Sequence, residues 1–311
     1  MSKKVNNPLF VKRRIILLIC FCVAFVFVLR SVIIQSSQKR CVWGTSAEEL
    51  ASNKRYIQVA MDGDLHLVVD RNDQNLCREV NLAHSLLRAV QQTTGRLMKK
   101  GDHVVEVGAG YGVHTLRFSR IVGDKGHVIA FEVNAKTVKH LQNSLVRNNI
   151  YNVTVNAQRL SDSLVKPMQD CDGHASQCTD KQINDVREPV PIKQKRAKNF
   201  CSSEWTQTLD GFLSQAQVDF LWIDVVDYVP LIVKGAAQTL ANNPNITIFL
   251  HWRPKNTPRH QQKIDELLAF FEYEKFNVWR VDPTHGLQRS TLETLFDTDA
   301  AYIVLSRKEK L

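Results

Sequence analysis

Three glycines at alternate positions, Gly108, Gly110 and Gly112, close the stretch Val104-Val-Glu-Val-Gly-Ala-Gly-Tyr-Gly112, in which an apolar run carries the carboxylate Glu106. Glycine lets a backbone turn tightly and approach a ligand to contact distance. A helix starting directly afterwards aims its free N–H groups at the same place. The chemistry this suits is the gripping of a nucleotide-like molecule. A dinucleotide fingerprint wants glycines at the first, third and sixth positions, and the sixth here is Val113, which weakens a pyrophosphate reading. The plain alternative is a glycine-rich strand-to-helix turn with no ligand. A second apolar run, Gly126-His-Val-Ile-Ala-Phe-Glu132, ends in a carboxylate 24 residues after Gly108. At a strand end that carboxylate can accept both hydroxyls of a ribose, or it can cap a helix beginning near Ala135. Tyr111 and His114 beside the glycines either shape the pocket or pack and polarise the helix start.

Those residues need strand ends to stand on, and the hydropathy pattern supplies them. Apolar runs near 103–107, 127–132, 153–158, 218–224, 246–252, 276–281 and 300–306 read as seven strands. Helical periodicity falls near 77–99, 113–122, 135–148, 228–242 and 259–272, so most strand pairs have the crossover that parallel pairing requires. The alternation implies an α/β sheet. The connection over 282–299 is less clearly helical and suits an antiparallel last strand. Between Lys166 and Cys201 the pattern lapses into a polar tract with a basic knot, Lys193-Gln-Lys-Arg-Ala-Lys198. A flexible solvated insert at about 166–202 is the reading there, with a substrate lid or a patch for an acidic partner as the alternative.

The net charge of +10 invites a nucleic-acid partner, but the first 40 residues hold eight of the 41 Lys and Arg and no acid. The rest carries 33 basic and 31 acidic residues, a balance of only +2, so no nucleic-acid partner is expected. From Ile15 to Ile34 the chain is almost continuously apolar, long enough to cross a hydrocarbon core of about 30 Å. It reads as an uncleaved membrane anchor, with Arg30 snorkelling at its far end. A cleaved signal peptide is the rival, though no Ala-x-Ala-like site follows. Lys3, Lys4, Lys12, Arg13 and Arg14 precede the span, against Arg30 at its far end and Lys39 and Arg40 beyond it. That bias puts the N-terminus in the cytosol and the body on the opposite, lumenal or extracytoplasmic side. The expected organisation is a basic tail (1–14), the anchor (15–34), a linker and N-terminal extension (35–76), and an enzyme-sized domain (77–311). Cys20 and Cys22 fall in the anchor. Cys41, Cys77, Cys171, Cys178 and Cys201 are an odd set that cannot pair fully within the chain, and the last three match no zinc spacing. Asn152-Val-Thr154 and Asn245-Ile-Thr247 are acceptor triplets for N-glycosylation, usable only in a lumenal setting.

Glu106-x-Gly-x-Gly-x-Gly112 resembles motif I of the S-adenosylmethionine-dependent methyltransferases. Further pieces follow in order: Ala130-Phe-Glu-Val-Asn134, Leu141-Gln-Asn-Ser-Leu-Val-Arg-Asn-Asn149, Leu160-Ser-Asp162, Thr208-Leu-Asp210, Asp219-Phe-Leu-Trp-Ile-Asp224 and Lys234-Gly-Ala236. Together, over about residues 100–306, they resemble the FkbM family of methyltransferases. The resemblance implies a Rossmann-like class I methyltransferase fold, with seven mostly parallel strands and a reversed last one. It implies S-adenosylmethionine as cofactor, with Glu106 facing its methionine end, Gly108, Gly110 and Gly112 passing beneath it, and Glu132 on the ribose. Ser161 and Asp162 are the adenine-side candidates. It also implies methylation of a hydroxyl on a small-molecule or glycan acceptor. One loop departs: where the family pattern has Glu-Gly-Ala-Glu, this chain has Val226-Asp227-Tyr228-Val229.

Because the sulfonium is already activated, the protein mainly has to align the acceptor and exclude water. A neutral hydroxyl also needs a base, and the candidates are Asp224 and His251, at the ends of the fourth and fifth strands. Asp224 can instead fix its loop or cap a helix, and His251 can be a packed core residue. Asp224 with Asp227 makes an incomplete carboxylate pair for Mg²⁺. Three readings therefore stand: an active membrane-anchored O-methyltransferase, a cofactor-binding but inactive scaffold, and a partner-binding protein that keeps only the fold.

Overall fold

The computed structural model describes residues 56–61, 64–70, 84–164, 206–225, 228–254, 261–296 and 298–311. The expected anchor at 15–34, the insert at 166–202, all seven cysteines, Val226 and Asp227 lie outside the described residues. Among the described residues no helix is long and apolar enough to cross a membrane. Residues 58–69 and 83–311 form one compact unit. Of the other unit, 1–57 with 70–82, only Tyr56, Ile57 and Asp70 are described.

The strands are β1 (Tyr56–Ala60), β2 (His66–Asp70), β3 (His103–Val107), β4 (His127–Phe131), β5 (Val153–Asn156), β6 (Arg159–Leu160), β7 (Thr206–Gln207), β8 (Phe220–Ile223), β9 (Thr247–Trp252), β10 (Asn277–Asp282), β11 (Gly286–Ser290) and β12 (Ala301–Ser306). The helices are α1 (His84–Leu97), α2 (Val113–Val122), α3 (Ala135–Arg147), α4 (Leu209–Leu213), α5 (Val229–Lys234), α6 (Ala237–Asn242) and α7 (Gln261–Tyr273).

The central sheet runs β11-β10-β12-β9-β8-β3-β4-β5. The pairs β3·β4, β4·β5, β3·β8 and β8·β9 are parallel, while β12 is antiparallel to both neighbours. This is a Rossmann-like methyltransferase fold with a mixed, mostly parallel sheet and the expected reversed last strand. Eight strands replace the expected seven, because the chain after β10 returns as the hairpin strand β11, antiparallel to β10. The turn at Gly286, at φ 72°, lets the short, half-exposed run Gly286-Leu-Gln-Arg-Ser290 pair back. Its two faces show no hydropathy contrast for a sequence pattern to catch. The helix expected over 228–242 is two short helices, broken at Gly235-Ala236. A side chain at Gly235 would collide with the carbonyl of Ser161, so the break keeps a close approach open.

Strand alternation gives the sheet two different faces. Val105, Val107, Leu221, Ile223, Ile248 and Leu250 point into an aliphatic core closed by α5, α6 and α7. On the other face Phe220, Trp222, Phe249 and Tyr302 form a ladder of rings that meets Phe118 and His114 of α2. β8 is buried along its whole length, as a central parallel strand must be. Glu106 lies on the aromatic face, directly beside Trp222 in the β3·β8 register. The stretch 35–76, read as linker and extension, contains β1 and β2, which form a two-stranded sheet. Asn148 at the end of α3 grips β2 twice, accepting from His66 N at 2.8 Å and donating to His66 O at 2.7 Å. Ser144 Oγ accepts from Val68 N one turn earlier.

Candidate active site

After β3 the chain builds outward through β4 and β5, then returns to the other side of β3 as β8. The strand order reverses between β3 and β8. Ligands of open α/β sheets sit in the crevice at the carboxyl ends of strands at such a point. Gly108 and Asp224 face each other there. A Cβ on Gly108 would lie 2.8 Å from the Asp224 carbonyl oxygen, and Asp224 N donates to Val107 O at 2.8 Å. Gly108 is thus a packing requirement as well as a turn, with φ at 89°.

The glycine loop is tied down from the neighbouring strand. Gly108 N and Ala109 N both donate to Phe131 O, and Gly110 N donates to Glu132 Oε2 at 2.9 Å. Glu132 Oε1 accepts from Asn134 N, while the Asn134 side chain caps α3 by accepting from Lys136 N and Thr137 N. The helix cap considered for Glu132 therefore belongs to Asn134. Each bond to Glu132 uses one of about four lone-pair sites on the carboxylate, which leaves room for two hydroxyl donors. At Gly110, with φ at 54°, nothing lies within 4 Å of where a Cβ would be. This is a cradle left open on the ligand side. Gly112 differs, since a Cβ there would strike Leu141 and Leu116.

Glu106 sits beneath this loop, fully buried, with Oε2 accepting from Thr115 Oγ1 at 2.6 Å and no partner for Oε1. Burial pushes its carboxyl up to about 8, and the nearby Asp224 and Glu132 carboxylates add to the rise against the Thr115 bond. Ser161 and Asp162 follow the small β6·β7 pair. Ser161 N donates to Gln207 O, Ser161 Oγ donates to Asp162 Oδ1 at 3.2 Å, and Lys234 Nζ stands 3.8 Å from Asp162 Oδ2. Between Glu132 and this loop lie two groups that no sequence motif signals. Asn156 Nδ2 and Gln158 Oε1 are buried without a partner, just past the hydrogen bond from Glu132 N to Asn156 O. Only the β4·β5 register reveals them.

On the other side of the switch point, His251 Nδ1 lies 2.7 Å from Asp224 Oδ1. Ile223 and Leu250 are register partners in the parallel β8·β9 pair, so the next residues along meet as neighbours. Tyr302 of β12 opposes His251 across the antiparallel pair and stacks on its imidazole, with centroids 4.5 Å apart and planes at 22°. The dyad is partly open, with side-chain exposures of 15% for His251 and 24% for Asp224. His114, half-buried with its ring 4.4 Å from that of Trp222, has its pKa pulled down to about 4 by desolvation and stays neutral. Tyr111 packs at a tilt on His140, with ring centroids 5.2 Å apart.

A methyltransferase FkbM domain profile matches residues 106–278, more than half of the chain. The chain belongs to the FkbM methyltransferase domain family. The open cradle at Gly110 and the half-used carboxylate of Glu132 fit S-adenosylmethionine, the cofactor that the resemblance to this family implies. Part of the chain is also similar to the ubiquinone/menaquinone biosynthesis C-methyltransferase UbiE of Vibrio cholerae, 38% identical over 66 residues, 20% of this chain and 25% of the relative. The chain thus spans about a quarter of the length of the curated relatives it matches. Among solved structures, a SAM-dependent methyltransferase from Aquifex aeolicus is 15% identical, with a TM-score of 0.38, over 72% of this chain and 92% of that one. A SAM-dependent O-methyltransferase from Thermotoga maritima is 14% identical, with a TM-score of 0.38, over 86% of this chain and 83% of that one.

Proposed function

We propose that this protein methylates a hydroxyl group on a small-molecule or glycan acceptor, with His251 as general base and Asp224 as the residue that orients it. The observation that carries the proposal is the 2.7 Å contact between His251 Nδ1 and Asp224 Oδ1 at the switch point of the sheet. When bound, S-adenosylmethionine supplies an activated methyl group. What remains for the protein is to hold the acceptor oxygen and take its proton.

A carboxylate beside Nδ1 selects the tautomer with the hydrogen there, so Nε2 keeps its lone pair for the hydroxyl proton. Once Nε2 is protonated, Asp224 stabilises the imidazolium. The Tyr302 ring holds the imidazole plane. The same arrangement compensates for the carboxylates missing from the loop after β8. Glu132, Gly110, Ser161 and Asp162 are assigned to the cofactor side, with Glu106 supporting the loop from below.

We also place the methyltransferase domain at 77–311 and the protein in a membrane through residues 15–34. The N-terminal tail lies in the cytosol and the body on the opposite side. The apolar run, and the five cations before it against two just after it and Arg30 at its far end, support this topology.

The test is S-adenosylhomocysteine formation by the full chain in detergent micelles, offered a panel of hydroxylated sugars, glycolipids and small alcohols. Turnover that disappears in His251→Gln while S-adenosylmethionine still binds supports the assignment. Saturable cofactor binding with no turnover on any acceptor would instead favour the inactive scaffold.

A further inference from the structure

Of the two acceptor triplets, the fold leaves one usable. We propose that Asn245 is an N-glycosylation acceptor and that Asn152 is not, an inference that rests on the lumenal placement of the body proposed above.

Asn152 is half-buried at the start of β5, and its side-chain amide is fully engaged. Oδ1 accepts from Ser119 Oγ at 2.6 Å, and Nδ2 donates to Ser119 O at 3.1 Å and to Gly123 O at 2.9 Å. The two Nδ2 bonds stitch the end of α2 to the edge of the sheet. A sugar on that nitrogen would remove one donor and force a pyranose between α2 and β5, so a chain modified there could not close this joint.

Asn245 stands in the opposite situation. It is exposed in the turn Asn243-Pro-Asn245 that leads from α6 into β9, ahead of buried Ile246 and Thr247. The turn-forming bond of this segment, Ile246 N to Asn243 O at 3.1 Å, involves only backbone and leaves the Asn245 side chain out of it. Proline and asparagine hold such a turn at the surface. The position is also harmless to catalysis. Asn245 precedes the amino end of β9 and His251 lies near its carboxyl end, so at about 3.3 Å per residue the two are separated by roughly 15 Å or more along the strand.

In the modification, Asn245 Nδ2 bonds to the anomeric carbon of a polyprenyl-pyrophosphate-linked oligosaccharide. The anomeric C–O bond breaks, the lipid pyrophosphate leaves, and the amide gives up one proton. Thr247, the hydroxyl of the triplet, is buried in β9, so transfer precedes closure of that strand.

The experiment expresses the full chain in cultured animal cells, with an Asn-Gly-Thr reporter appended after Leu311 to record the side on which the body lies. Peptide-N-glycosidase digestion is read on gels. Two glycans are expected, one on the reporter and one lost in Asn245→Gln, while Thr154→Val, which removes the other triplet but keeps Asn152, changes nothing. A glycosylated reporter with no Asn245-dependent glycan overturns the inference and leaves the topology standing. No glycan on either overturns both. A glycan lost in Thr154→Val from protein that still binds S-adenosylmethionine overturns the exclusion of Asn152.

Discussion

Replacing the buried acid under the glycine loop should invert how stability depends on pH. Glu106 has an ordinary value of 4.5 and is pushed up to about 8 in the fold, chiefly by burial. Below pH 4.5 both folded and unfolded chains carry the proton. Above it the unfolded chain ionises first, so the fold holds one extra proton up to about pH 8. Stability therefore falls as pH rises through this window, by about 1.4 kcal/mol per pH unit and about 5 kcal/mol in all, and is flat beyond. His114 acts in the opposite direction. Its value drops from 6.5 to about 4, again through burial, so below pH 6.5 the unfolded chain binds the extra proton and stability falls with acidity. The two slopes nearly cancel between pH 4.5 and 6.5, and Glu106 alone acts from 6.5 to 8.

Glu106→Gln removes one of these slopes. The amide keeps an acceptor for Thr115 Oγ1 but puts an unpaired NH₂ where Oε1 has no partner, which costs about 1–3 kcal/mol at every pH. The variant should be the less stable protein at pH 5 and the more stable one above pH 8, by about 2–4 kcal/mol. Urea titrations of the cofactor-free full chain in micelles, read by tryptophan fluorescence at half-unit pH steps, give both curves. If wild type and variant run parallel from pH 6.5 to 8, Glu106 is not the uncharged acid argued here and the site's electrostatics must be redrawn.

Two glycines in one loop should fail for different reasons. Gly110→Ala puts a methyl into open space at a strained φ, so it costs only about 1–2 kcal/mol of stability but should weaken S-adenosylmethionine binding tenfold or more by calorimetry. Gly108→Ala drives a methyl against the Asp224 carbonyl and the Val225 side chain, and should lower thermal stability before it affects the cofactor. Asp224→Asn and His251→Gln should each reduce kcat by about 10²–10⁴ and leave cofactor affinity unchanged, with the two losses not adding in the double variant, as expected of residues acting through one proton. Asn148→Ala, which breaks both bonds to His66, should cost about 1–3 kcal/mol and raise amide exchange in β2 without touching kcat.

Sequence alone carried the parts of the site that are local. The glycine loop, the start of α2 and Glu132 follow one another within about 25 residues, and each is set by backbone needs that only certain residues meet: φ of 89°, 54° and 96° at the three glycines, and a carboxylate at a strand end. What sequence could not order was anything decided across strands. Whether Glu132 or Asn134 caps α3 depends on where Gly110 N points, and that follows from the β3·β4 register. The buried amides of Asn156 and Gln158 escape sequence reading for the same reason, because a residue's partner in a parallel sheet lies a whole crossover away in the chain, whereas the hairpin strand β11 escapes it because its two faces show no hydropathy contrast.

The proposed catalytic pair is the sharpest case, and it changes how the altered loop should be read. Val226 to Val229 lacks the two carboxylates and the glycine of the family pattern, and on sequence alone this makes catalysis the doubtful property of the chain. Yet the loop is only one way to bring a polar group to the acceptor side of the switch point. Strand ends are the other, and they are stiffer. Asp224 just past β8, His251 on β9 and Tyr302 on β12 are neighbouring positions, brought together by two registers and joined by one hydrogen bond and one ring stack. A base built this way needs no residue from the divergent loop, and its orientation is fixed by the core beneath it, where Ile223 and Leu250 are completely buried. Substitutions in Tyr228, exposed at the foot of α5, should therefore alter which acceptors are taken, through KM, while kcat on an acceptor that still binds changes little.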